Sequence, residues 1–321
     1  MPASVLRAGR ARSTQHPSGS WPRLPGEAAL EDEVATRVLS ALHTISTYPF
    51  DPGVPVFAHY PAMKLGDLGS VDYFAALLAP MAHKAIVDAP PKERGWVLTS
   101  PPLRGLPCGA NLVCRAIFGM LAKSLPDGLA LRLDPMEVQG PRTPIDSEAA
   151  FKGYNEYSKH DLKTRRQFYM ARDERATYDL ANFAGRRAIF VNDINVTGTQ
   201  LASITKLLHG AGVESLDVLL IVNVDRGIGC AFPQLESEIN ASGIADLAEY
   251  TAFLRDCEFE ATGKLISRLL SHDTDELAAI FEALPPSRRQ MLHRAILRED
   301  LYGGALFRQK MQVVERALLD G

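Results

Sequence analysis

Four apolar residues in a row, Ala188 to Val191, are followed after a polar stretch by Leu201, Ile204, Leu207 and Leu208 at helical spacing. The run suits a strand buried on both faces of a parallel sheet, and the spaced residues suit the amphipathic helix that follows such a strand. The same succession occurs earlier. Gly95 to Pro102, GWVLTSPP, reads as a buried strand closed by a rigid turn, and Leu112, Val113, Ala116, Ile117, Met120 and Leu121 continue as a helix. Leu129 to Val138, LALRLDPMEV, alternates as a third strand with Pro135 at its end or edge. Val213 to Val224, VESLDVLLIVNV, is a fourth, separated from the preceding helix by Gly210 and Gly212 as a C-cap. Strands alternating with helices predict an α/β fold around a parallel sheet.

Helical spacing dominates both flanks. Val34, Val38, Leu39, Leu42 and Ile45, with acids in the first turn, predict a helix over Glu31 to Ile45, which Pro49, Pro52, Gly53 and Pro55 end. A further helix is expected from Ser70, with Ser70 as its cap and Asp72 near its dipole. Just before it, Lys64-Leu-Gly-Asp67 reads either as a solvated turn or as two charged side chains reaching into a site. Beyond Pro233 helical groups follow one another, from Leu247, Tyr250 and Leu254 to Met311, Val314 and Leu318, broken at Gly263, Pro285 with Pro286, and Gly303 with Gly304. The expected organisation is a disordered tail over 1–30, a helical segment over 31–90 packing on the core, an α/β core over 91–232 and a helical domain over 233–321. The last would act as a hood over a pocket or supply a homodimer surface.

Composition narrows the class. A chain of 321 residues that is 46% hydrophobic and 23% charged is an ordinary soluble globular protein. A net charge of -3 gives no sign of a nucleic-acid partner, and no apolar stretch approaches the roughly 18–20 residues that a membrane span requires. The four cysteines, Cys108, Cys114, Cys230 and Cys257, lack CxxC pairing, which argues against a zinc site or disulfide framework and fits a cytoplasmic protein. Arg7, Arg10, Arg12 and Arg23 precede the first acid, Glu27, among frequent Ser, Pro and Gly. That composition gives the disordered tail, although an organelle transit peptide shares it.

Chemistry concentrates beside the first strand described. Asp193 stands where that strand runs out and can accept hydrogen bonds from a sugar diol. Thr197, Gly198 and Thr199 then turn into a helix whose free N–H groups favour a phosphate. Together they describe a pocket for a phosphorylated sugar; an ordinary Asx turn and helix cap would use the same residue types. From Gly140 to about Asp179 apolar periodicity fades while Lys152, Lys159, His160, Lys163, Arg165, Arg166, Arg172 and Arg175 accumulate among Tyr154, Tyr157, Phe168 and Tyr169. A patternless connection of that length is uncommon in a compact domain unless it is functional.

Arg187 to Thr199, centred on VNDINVTGT, resembles the phosphoribosyl pyrophosphate (PRPP) signature of the type I phosphoribosyltransferases: four apolar residues, two acids, two further residues and a Thr-Gly-Thr-like turn. Two departures matter. Asn192 replaces the first acid, keeping hydrogen bonding but removing a charge. Val196 stands where members using 6-oxopurines carry an acidic base, so a base-assisted purine acceptor is disfavoured. One branch of the family has a Lys-x-Gly-Asp segment similar to Lys64 to Asp67.

The resemblance implies a parallel-sheet phosphoribosyltransferase core and transfer of a 5-phosphoribosyl group from PRPP to an unidentified small-molecule acceptor, with release of pyrophosphate. It puts Asn192 and Asp193 on the ribose diol, and Thr197, Gly198 and Thr199, next to Val196, around the 5-phosphate. Ser100, Arg104 and Gly105 fall in the pyrophosphate loop. Lys163 and Arg166, with Tyr157 and Ser158, fall in a lid that closes over the leaving group. Magnesium is expected mostly on PRPP oxygens and water, with Asp193 as the nearest protein carboxylate. Asp225 and Arg226 would face the acceptor. The alternatives are a non-catalytic PRPP- or nucleotide-sensing protein on the same fold, and an unrelated α/β protein with a similar turn.

Overall fold

The computed structural model describes residues 36–90, 95–140, 144–155 and 177–319. The expected tail over 1–30 and the lid residues Tyr157, Ser158, Lys163 and Arg166 lie outside the described residues. One sheet contains β1 (Thr36–Ile45), β2 (Trp96–Thr99), β3 (Leu131–Leu133), β6 (Arg187–Asn195) and β7 (Ser215–Val224), in the order β1-β7-β6-β2-β3 with every pairing parallel. Between them, β4 (Val138–Gln139) and β5 (Thr177–Tyr178) form a small antiparallel pair. The fold class expected from the sequence, α/β with a parallel sheet, is the one observed.

Period-two alternation explains why β6 and β7 read as unbroken apolar runs. Ile189 and Val191 of β6, with Leu219 and Ile221 of β7, enter one core together with α1 (Pro55–Leu65), α2 (Leu68–Asp88) and α3 (Gly109–Ser124). Ala188 and Phe190, with Val218 and Leu220, enter the core on the other face, where Ile204 and Leu208 of α5 (Thr199–Gly210) cover them. Both faces are dry, as a parallel sheet requires. The short helices α4 (Glu148–Asn155), α6 (Arg226–Ala231) and α7 (Leu235–Ala241) lie in the connections. A third apolar cluster is built by α8 (Leu247–Asp256), α9 (Gly263–Leu269), α10 (Thr274–Ala283), α11 (Pro286–Glu299) and α12 (Arg308–Leu319), and it includes Leu65, Leu106 and Ile145.

Three expectations are corrected. The helix expected over Glu31 to Ile45 is strand β1 from Thr36 onward, pairing with Leu216 to Val224 of β7. Thr36, Val38, Thr44 and Ile45 are β-branched, and a parallel neighbour supplies the ladder that local spacing cannot reveal. The segment 31–90 is therefore not wholly helical. The strand expected over Leu129 to Val138 stops at Leu133: Pro135 has no N–H for a ladder, Met136 has φ 50°, and Val138 pairs with Tyr178 instead. The helix expected to be capped by Ser70 begins at Leu68, because the Asp67 carboxylate accepts from the Ser70 N–H at 2.7 Å and caps it first.

Candidate functional site

β2 and β6 are neighbours, but the chain leaves them in opposite directions. β2 leads through α3 to β3 on its outer side, whereas β6 leads through α5 to β7 on the other. The two helices pack on opposite faces of the sheet. Such a switch point opens a crevice at the carboxyl ends of the strands, where α/β proteins bind ligands. The last β2–β6 pair is Thr99 with Phe190, so Val191 to Asn195 run on beyond β2, flanked on that side by the loop after Ser100.

Asp193 sits on this extension and is buried. Its Oδ1 accepts from the Ile194 N–H at 2.8 Å, and its Oδ2 from the Lys64 ammonium at 2.5 Å. Lys64 also donates to Glu236 Oε1 on α7 at 3.1 Å, and Nζ lies 5.6 Å from the centroid of the Tyr60 ring. The three charged side chains are only 15%, 9% and 14% exposed for Lys64, Asp193 and Glu236. Burial pushes the Lys64 ammonium down, but Asp193, then Tyr60 and Glu236, outweigh it, and its pKa lies well above the ordinary lysine range. Burial pushes the Tyr60 phenol up, and Asp193 pushes it further. The Cys108 thiol, at the start of α3, is pushed up to about 11 by burial and then by Asp193, which makes it an unreactive neutral thiol at physiological pH.

The local sequence explains how Lys64 gets there. It occupies the last turn of α1, and Gly66 then takes φ 95° as the left-handed C-cap, with its N–H on the Met63 carbonyl at 2.9 Å. The following residues are stitched to the segment before α9. Glu260 N–H donates to Gly66 O at 3.1 Å, Leu68 N–H to Glu258 O at 2.9 Å, and the Thr262 hydroxyl to Lys64 O at 2.9 Å. A Cβ on Gly66 would lie 1.9 Å from Glu260 O, so only glycine fits. Gly109, at the start of α3, is equally constrained, with a virtual Cβ 2.3 Å from Met63 Sδ.

The loop after β2 is braced from two sides. Asn111 donates to Ser100 Oγ at 2.9 Å and to Pro101 O at 2.7 Å, while its Oδ1 accepts from Cys108 N–H at 2.7 Å. Gly105 takes φ 96°, and the next N–H, of Leu106, donates to the buried Glu299 carboxylate at 2.8 Å. Arg104 donates from Nη2 to Gln139 O at 3.2 Å. On the other loop Gly198 takes φ 76° with open space around it, and the Thr197 and Thr199 hydroxyls lie 3.0 Å apart at the start of α5. Val196 is buried in the core, where its carbonyl would meet a Cβ on Gly229 at 1.8 Å.

Of the residues singled out from the sequence, Asp193 and the turn Thr197 to Thr199 thus stand on one side of the crevice, and Ser100 and Gly105 on the loop opposite. Asn192 turns the other way from Asp193: its amide donates to Ile194 O at 3.0 Å and to Gln200 Oε1 on α5 at 3.2 Å. Asp225 and Arg226 are exposed at the end of β7. Lys64 and Asp67 part company, the lysine entering the site and the aspartate capping α2. Tyr60, Cys108, Asn111 and Glu236 escaped sequence reading. No pattern in the sequence singles them out, because α1 and α7 reach Asp193 only through the tertiary fold.

No protein-family model and no curated protein matches the chain. Solved structures similar to it include hypoxanthine and hypoxanthine-guanine phosphoribosyltransferases. The Staphylococcus aureus hypoxanthine phosphoribosyltransferase is 15% identical, covering 48% of this chain and 62% of its own, with a TM-score of 0.27. The L. donovani hypoxanthine-guanine enzyme is 12% identical, covering 51% and 78%, at 0.30. The Bacillus anthracis one is 10% identical, covering 52% and 88%, at 0.28. The chain thus spans less than two thirds of the S. aureus protein. Among the described residues no helix is long and apolar enough to cross a membrane.

Proposed function

We propose that the crevice binds PRPP and transfers its 5-phosphoribosyl group to a small-molecule nucleophile, releasing pyrophosphate. One observation carries this reading: a buried aspartate and a left-handed Thr-Gly-Thr turn leave the same strand at the switch point, facing a braced glycine-bearing loop from the adjacent strand. In this scheme the N–H groups at the start of α5 hold the 5-phosphate, and Asp193 accepts from a ribose hydroxyl. Ser100, Arg104 and the Gly105 backbone would take the pyrophosphate, and Lys163 and Arg166 keep the lid role that the resemblance implies. The acceptor's lone pair forms the new bond at C1 of the ribose as the C1–oxygen bond breaks, its electrons leave on pyrophosphate, and the acceptor's proton passes to solvent. Val196 offers no proton acceptor, so the nucleophile must be reactive without a base at that position.

Magnesium on Asp193 does not fit the residues present. Oδ2 already carries an ammonium, Asn192 removes the neighbouring charge, and among the described residues no group of three or more His, Cys, Asp or Glu side chains could hold a metal ion. Metal entering this site arrives with PRPP as part of the substrate, and no step here is routed through it.

Pyrophosphate release from Mg-PRPP, measured against a set of candidate nucleophiles, tests the proposal. Asp193→Ala is expected to abolish PRPP binding and turnover while keeping the fold, since Lys64 retains Glu236; undiminished PRPP affinity in that variant would sink the assignment. The paired state of Asp193 also suits a PRPP- or nucleotide-sensing protein that binds without turnover. PRPP binding with no pyrophosphate released by any nucleophile would select that second reading.

A further inference from the structure

We propose that Lys64 stands in for a protein-held divalent cation at this site: seated between Asp193 and Glu236, its ammonium lets the crevice take up the diol and phosphate of an anionic sugar with no metal on the protein. The inference rests on the reading of the crevice as a sugar-phosphate site.

A buried carboxylate pair facing an anionic ligand needs a counter-charge, and most such sites recruit a metal. Here the counter-charge is covalent. Lys64 places one cation between two acids, leaving the trio with a net charge of -1 instead of -2 (+1 - 1 - 1 against -1 - 1). An ammonium has three N–H donors, and the carboxylates of Asp193 and Glu236 take two of them. Glu236, on α7, holds the same ammonium, and the Gly66 cap with the Thr262 hydroxyl fixes the turn that carries it. Lys64 is therefore placed by structure on both sides and is not a surface side chain that has folded inward.

A second observation points to a ligand. The Tyr60 hydroxyl, on a side chain with no exposed surface, is buried beside the Lys64 ammonium with no hydrogen bond of good geometry. Buried polar atoms are costly when unmatched. Tyr60 feels the charges of both Asp193 and Lys64. The hydroxyl groups of a sugar are donors and acceptors of the kind this phenol lacks.

Ribose 5-phosphate is the discriminating probe, because it carries the diol and phosphate but no pyrophosphate to chelate a metal. Its binding is measured by calorimetry to wild type, Lys64→Met and Lys64→Arg, first in EDTA and then in excess Mg²⁺. Wild type is expected to bind equally well in both, and Lys64→Arg, which keeps the charge in a larger head group, to retain more of its binding in EDTA than Lys64→Met does. Lys64→Met is expected to lose at least about tenfold in EDTA, the worth of one charge-assisted hydrogen bond, and to regain part of it with Mg²⁺. If wild type binds only when Mg²⁺ is present, or Lys64→Met binds normally in EDTA, the inference is overturned while the sugar-phosphate site stands. If wild type binds under neither condition, the reading of the site fails and takes the inference with it. The wild-type arm requires no substitution, so it decides the matter even if Lys64→Met fails to fold.

Discussion

Breaking the buried trio on either side should have unequal consequences. Lys64→Met deletes the cation that bonds both Asp193 and Glu236, at 2.5 and 3.1 Å. Removing one partner of a buried pair costs about 3–5 kcal/mol, because the abandoned charge stays desolvated. At about 2–4 °C per kcal/mol for a chain of this size, the variant should melt roughly 10 °C lower. Asp193→Asn leaves Lys64 on Glu236 and exchanges one charged hydrogen bond for a neutral one, a loss of about 1–2 kcal/mol. The double variant should be more stable than the sum of the two losses predicts, by a coupling of about 2 kcal/mol, since neutral Asn no longer needs the cation. Guanidinium denaturation of the four proteins at neutral pH, with slopes compared, measures this cycle. Losses that add to within about 0.5 kcal/mol would show that the pair contributes no coupling and refute the reasoning.

Two further outcomes follow from backbone and titration. Gly66→Ala must place a Cβ 1.9 Å from Glu260 O in a left-handed conformation that alone costs about 1–2 kcal/mol, so both stability and ribose 5-phosphate affinity should fall as Lys64 is displaced. Gly119→Ala, on the open side of α3 with nothing within 4 Å, should instead gain up to about 1 kcal/mol; equal effects at the two sites would contradict the geometry. On the alkaline side, a folded thiol at about 11 against about 8.5 unfolded means that Cys108 supports the fold fully below pH 8.5 and loses that contribution as pH rises through 11. Cys108→Ala should therefore show a shallower stability loss over that window in pH-dependent denaturation. Lys64, raised above its ordinary value, acts with the same sign but from about pH 10.4 upward, so Lys64→Met should flatten the curve only there.

The central strands and the residues at their ends were legible because their signals are local. AIFV and VLLIV are buried on both faces, as short apolar runs in a parallel sheet are, and the Thr-Gly-Thr turn follows within a few residues of the first. β1 was not legible. It is the sheet's edge, most of its residues are exposed or half-buried, and its apolar positions happen to fall at helical spacing. What makes it a strand is a partner some 180 residues away, as the Thr36–Leu216 register shows. α1 was hidden by its own first turn: Pro55 there helps a helix start, yet in the sequence it reads as a break. Half of the site was likewise out of reach. Lys64 meets Asp193 across 129 residues of sequence and Glu236 across 172, and no spacing rule connects such distances.

The stitch between Gly66 and Glu260, with the Thr262 hydroxyl on the Lys64 carbonyl, has an evolutionary consequence. The wall of the crevice nearest the lysine is held by a stretch encoded 198 residues downstream of it. A recombination or truncation that removed everything after the sheet would leave the pocket's strands complete and its cation unmoored. The stretches that encode Lys64 and Thr262 must therefore be inherited together, and the late helices are bound to the early lysine by inheritance as much as by contact.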